Sequence, residues 1–333
     1  MGAGWMSRII ALLAALGPTA CARSPDVERS GPKRATRCDL GQPFETAEPV
    51  TIASGSLDCV PQSLSQDELR MDLLCHPGAS PQPRSGAPLY VSRRASVGEP
   101  WGALERVDGP FPSRVDHARV SDDGRTVLYG AVRDEIVDYG TAKYPPGAHA
   151  VATVWIATRS DPLGPFDAAR QLSEISPADS HLSYDVVAIL SDASVFYYSV
   201  SFSTEATTPV YRARRLADAS WVSEIPPPRV HMENRLILGA ITSDELHAFF
   251  TAYGDRFDQW HVAFASRASA SEDFSPASTT TDVAAVNTDF YDTPLWVSDD
   301  GCVLYTRTVK HGGDPNVAPP SYLLRAQRPA PSR

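Results

Sequence analysis

Basic residues, long apolar runs and closely spaced cysteines are all scarce in this sequence. Its 333 residues include 40 acidic and 30 basic side chains, which give a formal net charge of −10. Binding to nucleic acid needs a basic surface that displaces counterions from phosphates, so the charge argues against a nucleic-acid partner. The 29 prolines and 21 glycines indicate many short strands joined by turns and disfavour a helical bundle.

The longest apolar run lies at the N-terminus. Arg8 precedes the apolar stretch Ile9–Leu16, and small residues then lead to Cys21. This pattern predicts a secretory signal peptide over residues 1–21 rather than a membrane-spanning helix. Residues 22–41 are polar and without periodicity, which predicts a flexible tether.

The segment Gly17–Cys21 resembles the lipobox of bacterial lipoproteins, in which the cysteine becomes the lipidated first residue of the mature chain. Pro18 departs from that pattern, because leucine is usual at this position. Ordinary cleavage after Ala22 also fits the small residues here. The resemblance implies a protein in the periplasm or at the cell surface, attached to the bacterial envelope membrane through a lipid on Cys21.

One pattern recurs five times along the chain. It begins with a polar turn, followed by an apolar strand rich in aromatic residues, such as Val127–Tyr129 or Val303–Tyr305. The turns start at residues 65, 121, 191, 242 and 298, and the Asp-Gly pairs in two of them predict tight primed hairpin turns. The interval between starts leaves room for four strands and their loops, which is the size of a propeller blade.

An arginine closes the third strand of each repeat, and an aromatic residue follows after a short turn. The arginines are Arg93, Arg159, Arg215, Arg267 and Arg328, and the aromatic residues that follow the first four are Trp101, Phe166, Trp221 and Phe274. No aromatic residue follows Arg328, but Phe44 can fill this place if Phe44–Val50 forms the outer strand of the last blade. The sequence therefore predicts an all-β, five-bladed β-propeller over residues 42–328, closed by this N-terminal strand and followed by a tail, residues 329–333. We expect a monomer.

The repeat resembles that of the TolB-like, or WD-like, β-propeller family of bacterial envelope proteins. Repeats of this family contain a Pro-x-φ-Ser-x-Asp-Gly-x-x-Leu-Tyr core, which Pro294 and Trp296–Gly301 match best. The similarity extends from about residue 42 to residue 328. It implies a propeller but no particular activity, because the same fold hosts many roles.

Four cysteines lie beyond the signal peptide. Cys59 and Cys75 are equally distant from the turn at Asp67, so they should face each other across adjacent strands and form a disulfide. Cys38 precedes the closing strand and Cys302 follows the last hairpin turn, so a second disulfide would join the two chain ends. An oxidising compartment favours pairing over four free thiols. No two cysteines have the spacing of zinc ligands, and we predict no metal and no cofactor.

Aromatic residues in or beside the longer loops indicate the predicted binding face. Flat rings are common platforms for sugars and peptides, although many such residues only pack against the core or cover it. The candidates are Tyr139, Tyr144, Tyr184, Phe202, Tyr253, Phe257 and Tyr291. Histidines near the same loops, including His117, are expected to be solvated.

Three aspartates, Asp58, Asp116 and Asp185, precede the first strands of blades at a similar register, as does Asp292. One hypothesis takes the first three as a carboxylate set, as in the five-bladed arabinanase-like glycosidases, where an acid and a base flank the scissile bond. A residue repeated in four of five blades is better explained as an acceptor that caps loop N–H groups. The sequence therefore favours a non-catalytic envelope lipoprotein that binds a protein or a glycan. A secreted glycoside hydrolase is the alternative.

Overall fold

A computed structural model describes residues 38–77, 87–112, 115–137, 149–177, 183–201, 210–224, 236–253, 260–279, 281–309 and 321–331. The predicted signal peptide, Cys21 and most of the predicted tether lie outside the described residues, as do Tyr139, Tyr144, Phe202 and Phe257. Within the described ranges every regular element is a β-strand. In these same ranges, no helix has the length and apolar character needed to cross a membrane.

Most strands belong to four-stranded antiparallel meanders, while the first strand, β1 (Glu48–Val50), joins the last sheet. The first meander consists of β2 (Leu57–Leu64), β3 (Arg70–Pro77), β4 (Leu89–Arg93) and β5 (Glu105–Arg106). The second consists of β6 (Val115–Val120), β7 (Thr126–Val137), β8 (His149–Thr158) and β9 (Arg170–Gln171). The third consists of β10 (Ser183–Ile189), β11 (Val195–Ser201), β12 (Val210–Arg215) and β13 (Trp221–Glu224).

The remaining strands form one seven-stranded sheet. It contains β14 (Leu236–Ile241), β15 (His247–Tyr253), β16 (Trp260–Ser266), β17 (Tyr291–Val297), β18 (Val303–Val309), β19 (Ser321–Gln327) and β1. The pairing of Trp260 with Tyr291 is the sole link between β16 and β17 in the described part of the sheet. The sheet therefore divides into a β14–β16 meander and a second meander of β17, β18, β19 and β1.

The first strands of the meanders contact one another in cyclic order. The contacts join β2 to β6, β6 to β10, β10 to β14, β14 to β17 and β17 to β2. Antiparallel meanders arranged around a common axis are the architecture of a β-propeller. The prediction of an all-β, propeller-type fold is confirmed.

The apolar core lies between neighbouring meanders. Leu128 of β7 packs with Phe196 of β11, and Tyr197 packs with Phe250 of β15. Successive side chains of a strand face opposite sides of its sheet. Since each sheet is covered on both sides, consecutive residues of a second strand are all buried, and this explains the aromatic and β-branched runs in the sequence.

The N-terminal segment supplies the outer strand of the last sheet, as predicted. Strand β1 pairs antiparallel with β19, with Pro49 opposite Leu324. Phe44 is buried, and its ring centroid lies 4.3 Å from the guanidinium carbon of Arg328. The predicted replacement of the missing aromatic residue by Phe44 is therefore confirmed.

The same arginine and aromatic pair recurs in other meanders. The pairs are Arg94 with Trp101, Arg159 with Phe166, and Arg267 with Phe274. Arg93 ends β4, as predicted, but it binds Glu105, and the next residue, Arg94, is the one that stacks on the ring. Each of these guanidinium groups stacks on the ring, and its Nε donates to the carbonyl of the turn residue Glu68, Gly124 or Glu245.

The hairpin turns between first and second strands share one geometry. In each turn, the fourth residue donates its N–H to the carbonyl of the first residue and has a positive φ of 53° to 72°. These residues are Glu68, Gly124, Ala193, Glu245 and Gly301. A type I turn followed by a left-handed residue has this pattern, so the primed two-residue turn that we predicted is wrong. In the third meander the turn begins at Leu190, one residue before the predicted Ser191.

Glutamate occupies two of these left-handed positions, where it joins neighbouring meanders. Glu245 accepts hydrogen bonds from Tyr197 Oη at 2.5 Å and from Arg212 Nη2 at 2.8 Å. Glu68 accepts from Tyr305 Oη at 2.9 Å and from Arg325 Nε at 2.7 Å. A left-handed residue with a Cβ atom costs about 1–2 kcal/mol, and these charged contacts offset that cost.

Both predicted disulfides are present. Cys59 and Cys75 are opposite each other in the β2–β3 register and form one bond across 16 residues of sequence. Cys38 and Cys302 form the other, across 264 residues. The second bond ties the segment before β1 to the beginning of β18.

Candidate functional site

A cavity of about 370 Å³, the axial cavity, lies where the first strands converge. Residues from every meander line it, including Val60, His76, His117, Asp185, Ser199, Ile237, Thr251, Trp260, Thr293 and Arg307. A narrower cavity of about 40 Å³ shares Gln62, Arg119 and Val187 with it and extends toward the hairpin turns. The passage along the axis is therefore wide at one end and constricted at the other.

Counting back from the hairpin turns shows which wall positions repeat. The fifth residue before each turn lies on the first strand and pairs with one residue of the second strand. The pairs are Val60 with Leu74, Asp116 with Gly130, Asp185 with Ser199, Ile237 with Thr251, and Thr293 with Arg307. Arg307 thus places charge at a position that holds an apolar, small or hydroxyl residue in the other meanders. The position of Asp185 is also acidic in the second meander, where it holds Asp116.

His117 lies at a β-bulge that differs from the others. Four first strands have their bulge three residues before the turn, whereas the bulge in β6 is one residue earlier, at His117. His117 has φ 44°, a left-handed conformation, and lines the axial cavity. Bulges beside functional sites redirect side chains, and strained residues concentrate at such sites. The sequence predicted a solvated loop residue here. His117 is exposed, as predicted, but it lies on strand β6 at the cavity wall and not in a loop.

Arg119 forms the boundary between the wide and narrow ends of the passage. Its guanidinium donates to the Val187 carbonyl at 2.7 Å and to Gln62 Oε1 at 3.1 Å, so it joins β6, β10 and β2. Burial lowers the pKa of Arg119 to about 10, so the side chain is charged at neutral pH. These contacts give it a structural role in the floor of the axial cavity.

The four aspartates at the beginning of first strands do not share one register. Asp116 and Asp185 stand five residues before their turns, Asp292 six and Asp58 seven. Asp185 lines the axial cavity, and Asp58 lines a neighbouring cavity of about 290 Å³. The side chain of Asp116 lies outside the described residues.

Asp292 faces away from the axial cavity, because its neighbour Thr293 lines that cavity and successive side chains alternate along a strand. It is fully buried and accepts hydrogen bonds from the backbone N–H of Thr288 at 2.6 Å and from Thr308 Oγ1 at 2.5 Å. Burial raises the pKa of Asp292, while the threonine donors act against that shift. Its contacts are those of an acceptor that holds the loop before β17.

Two of the seven aromatic candidates have described side chains. Tyr184 is buried, with its ring 6.2 Å from that of Tyr198, so it packs within the third meander. Tyr291 packs edge to face on Trp260 at 4.9 Å, and Trp260 lines the axial cavity. Tyr253 ends β15, and its side chain is outside the described part of the chain.

Three residues that no sequence pattern indicated also line the axial cavity: Trp260, Arg307 and His76. Arg307 could have been found by counting nine residues from the start of each turn, because the equivalent residues are uncharged. Together the wall offers a carboxylate, a guanidinium, imidazoles and an indole. Across the described ranges, no group of three or more His, Cys, Asp or Glu residues is placed to hold a metal ion.

No family model matches the chain, and no curated protein matches it. Among solved structures, it is similar to a BT0996 RGII complex, with a TM-score of 0.54 and 12% identity over 88% of this chain and 94% of the other. It is also similar to Zg3597, a family 117 glycoside hydrolase produced by the marine bacterium Zobellia galactanivorans. That match has a TM-score of 0.54 and 9% identity over 87% of this chain and 91% of the other.

TolB from Acinetobacter baumannii matches with a TM-score of 0.44 and 10% identity, over 82% of this chain and 55% of the other. At the identities of the first two matches, similarity of structure shows the fold alone. The fold is a β-propeller.

Proposed function

We propose that this chain is an exported, lipid-anchored, five-bladed propeller that binds a carbohydrate in its axial cavity without chemical turnover. The single observation behind this proposal is that Arg307 breaks the repeat on the wall of a cavity that Asp185 also lines. Residues that maintain a repeated fold recur from blade to blade, whereas residues that bind one ligand need not. The cyclic contacts of β2, β6, β10, β14 and β17 support the count of five blades.

The cysteines support the proposed location. Two disulfides are typical of proteins that fold in an oxidising compartment, which supports export. The lipobox-like segment before Cys21 supports attachment to the envelope membrane. We propose a monomeric lipoprotein in the periplasm or at the cell surface, with no nucleic-acid partner.

The chemistry of the axial cavity suits a sugar. A volume of about 370 Å³ is near the lower end of the range for small-ligand pockets, ~300–1,000 Å³. Sugar hydroxyl groups both donate and accept hydrogen bonds, which the carboxylate of Asp185 and the guanidinium of Arg307 can satisfy. The indole of Trp260 offers a flat apolar surface to the face of a pyranose ring. A protein partner would need a broad surface of about 800 Å², which a concave cavity of this size does not offer.

Calorimetric titration of the soluble chain, residues 22–333, tests the proposal. The probes are neutral and acidic mono- and oligosaccharides, and we expect at least one to bind. Asp185→Asn and Trp260→Ala should each lower the affinity about tenfold or more, because each removes a direct contact. Asp167→Asn is the matched control, since Asp167 is exposed on an outer segment. Absence of binding by every saccharide, or unchanged affinity in Asp185→Asn, would overturn the proposal.

Glycoside hydrolysis is a second candidate. The observation that favours it is that Asp116 and Asp185 occupy equivalent positions on neighbouring first strands, because hydrolysis needs two carboxyl groups across one bond. Incubation with arabino- and xylo-oligosaccharides decides between the two functions. Turnover that disappears in Asp58→Ala, Asp116→Ala and Asp185→Ala, with unchanged melting temperatures, would replace binding with catalysis.

A further inference from the structure

A second cavity lies at the junction between the first and last meanders. This seam cavity has a volume of about 290 Å³. Its walls come from the segment between β1 and β2, from β2 itself, and from β18 and β19. Its polar and aromatic lining residues are Thr51, Ser54, Asp58, Arg307, Ser321 and Tyr322.

The seam cavity is adjacent to the axial cavity. Pro61 and Arg307 line both cavities, so one side chain of β18 and one residue of β2 form the boundary between them. Asp58 lies two residues from Val60 on β2, and side chains two residues apart face the same side of a strand. Asp58 therefore continues the wall of the axial cavity outward into the seam cavity.

The lining of the seam cavity has the same chemical character as that of the axial cavity. Asp58 supplies a carboxylate acceptor, and Ser54 and Ser321 supply hydroxyl groups. Tyr322 is 46% exposed on β19, which is unusual for an aromatic side chain in this fold. An exposed ring beside acceptors and donors is suited to stack on a sugar ring. Each cavity is near the lower size limit for a ligand pocket, about 300 Å³, so each suits one small unit.

We propose that the seam cavity is a second saccharide subsite and that the ligand is a chain of at least two sugar units. One unit occupies the axial cavity, the next lies against Tyr322 and Asp58, and the linkage passes Arg307. This inference rests on the proposed carbohydrate binding at the axial cavity. It defines the ligand as an oligosaccharide rather than a free monosaccharide.

A length series tests the inference. We would titrate the soluble chain with saccharides of one to five units in the xylose, arabinose and galacturonic acid series. In the series that binds, two units should bind about tenfold more tightly than one, because the second unit gains a stacked ring and hydrogen bonds. In Tyr322→Ala, the affinity for longer chains should fall to that of the single unit. Tyr322→Phe keeps the ring and should retain most of the gain, and Leu163→Ala, a change at an exposed outer turn, should retain all of it.

The two ways in which the inference can fail are distinct. If single units bind as tightly as longer chains, or if Tyr322→Ala keeps the gain, the seam subsite is wrong and the axial site stands. If no saccharide of any length binds, the proposed function fails and the seam subsite fails with it.

Discussion

Arg328 stacks on Phe44, so the last strand of the propeller is held by a ring from the beginning of the chain. Arg328 is 2% exposed and also donates Nη1 to the carbonyls of Leu40 and Gln42 and to Asp282. A desolvated cation over an aromatic face contributes up to about 2 kcal/mol. The contact joins the two chain ends beside the pairing of β1 with β19.

Phe44→Ala should therefore destabilise the protein by about 3–5 kcal/mol, since it removes a buried ring and leaves a cavity under a guanidinium. Urea denaturation followed by tryptophan fluorescence measures the change. Phe44→Leu keeps much of the volume and loses the π face, so it should destabilise the protein less than Phe44→Ala does, by a total of ~1–3 kcal/mol. Equal losses in the two variants would show that the π face, and not the filled volume, accounts for the contribution of Phe44.

Glu245→Gln should cost about 3 kcal/mol at neutral pH. The substitution removes the buried counter-charge near Arg267 and one of the two carboxylates that bind Arg212, which then keeps only the partly exposed Glu224. Glu99→Gln, at an exposed turn, is the matched control and should have little effect. A loss below about 1 kcal/mol in Glu245→Gln would mean that the hydrogen bonds from Tyr197 and Arg212 suffice without the negative charge.

The same variant should change the response to acid. Burial alone would raise the pKa of Glu245, but the hydrogen bonds and charge of Arg212 outweigh burial and hold this pKa below its ordinary value. The ionised carboxylate thus stabilises the fold at pH values above about 4.5, and this contribution is lost as the pH falls through the lowered pKa. Burial raises the pKa of Asp72 and Asp292, so the protonation of those two groups favours folding as the pH falls, opposite to the effect of Glu245. The difference between wild type and Glu245→Gln, measured by urea denaturation from pH 7 to pH 3, should therefore shrink toward pH 3. A constant difference would contradict this assignment.

The two disulfides should differ in their contribution to stability. Cys38–Cys302 closes a loop of 264 residues and Cys59–Cys75 one of 16, and the cost of closing a loop in the unfolded chain grows with its length. The double serine variant of the first pair should lose about 2 kcal/mol more than that of the second. Thermal and urea unfolding of both variants measures this. A larger loss for the short loop would indicate that local strand pairing matters more than chain closure.

Membrane fractionation tests the predicted lipid anchor. In cells that export the full chain, the protein should sediment with membranes, and Cys21→Ser should move it to the soluble fraction because no lipid can be attached. Cys302→Ser is a control for the loss of a cysteine elsewhere. Unchanged sedimentation of Cys21→Ser would refute lipidation at this residue.

Local spacing made much of the fold predictable. The position of Phe44 before the closing strand, and the equal distances of Cys59 and Cys75 from their turn, needed only the regular rise of paired strands. Errors arose where one residue was inserted or shifted. The third turn begins at Leu190 rather than Ser191, because the hydrogen bond that closes it runs from Ala193 to Leu190. Arg93 closes its strand as predicted, but the stacking on Trp101 is made by Arg94. The repeat pattern in the sequence fits either register.

Position along the first strand explains why the site was harder to predict. Side chains alternate between the two faces of a strand, and Asp58, Asp185 and Asp292 stand seven, five and six residues before their turns. They look equivalent in the sequence, yet Asp292 faces away from the axial cavity. The bulge of β6 adds a further shift, because it lies one residue earlier than the bulges of the other first strands. The roles of Glu68 and Glu245 could not be predicted either. A left-handed glutamate is unfavourable by itself, and these two are stabilised by partners on the neighbouring meander.

The bond between Cys38 and Cys302 also determines how the protein bears mechanical tension. A pull on the chain from its N-terminal side reaches Cys38 before it reaches β1, and it then passes through a covalent bond to the start of β18. The hydrogen bonds between Glu48–Val50 and β19 carry none of this force. A molecule restrained by its N-terminal segment can thus withstand shear that would peel away an unlinked edge strand.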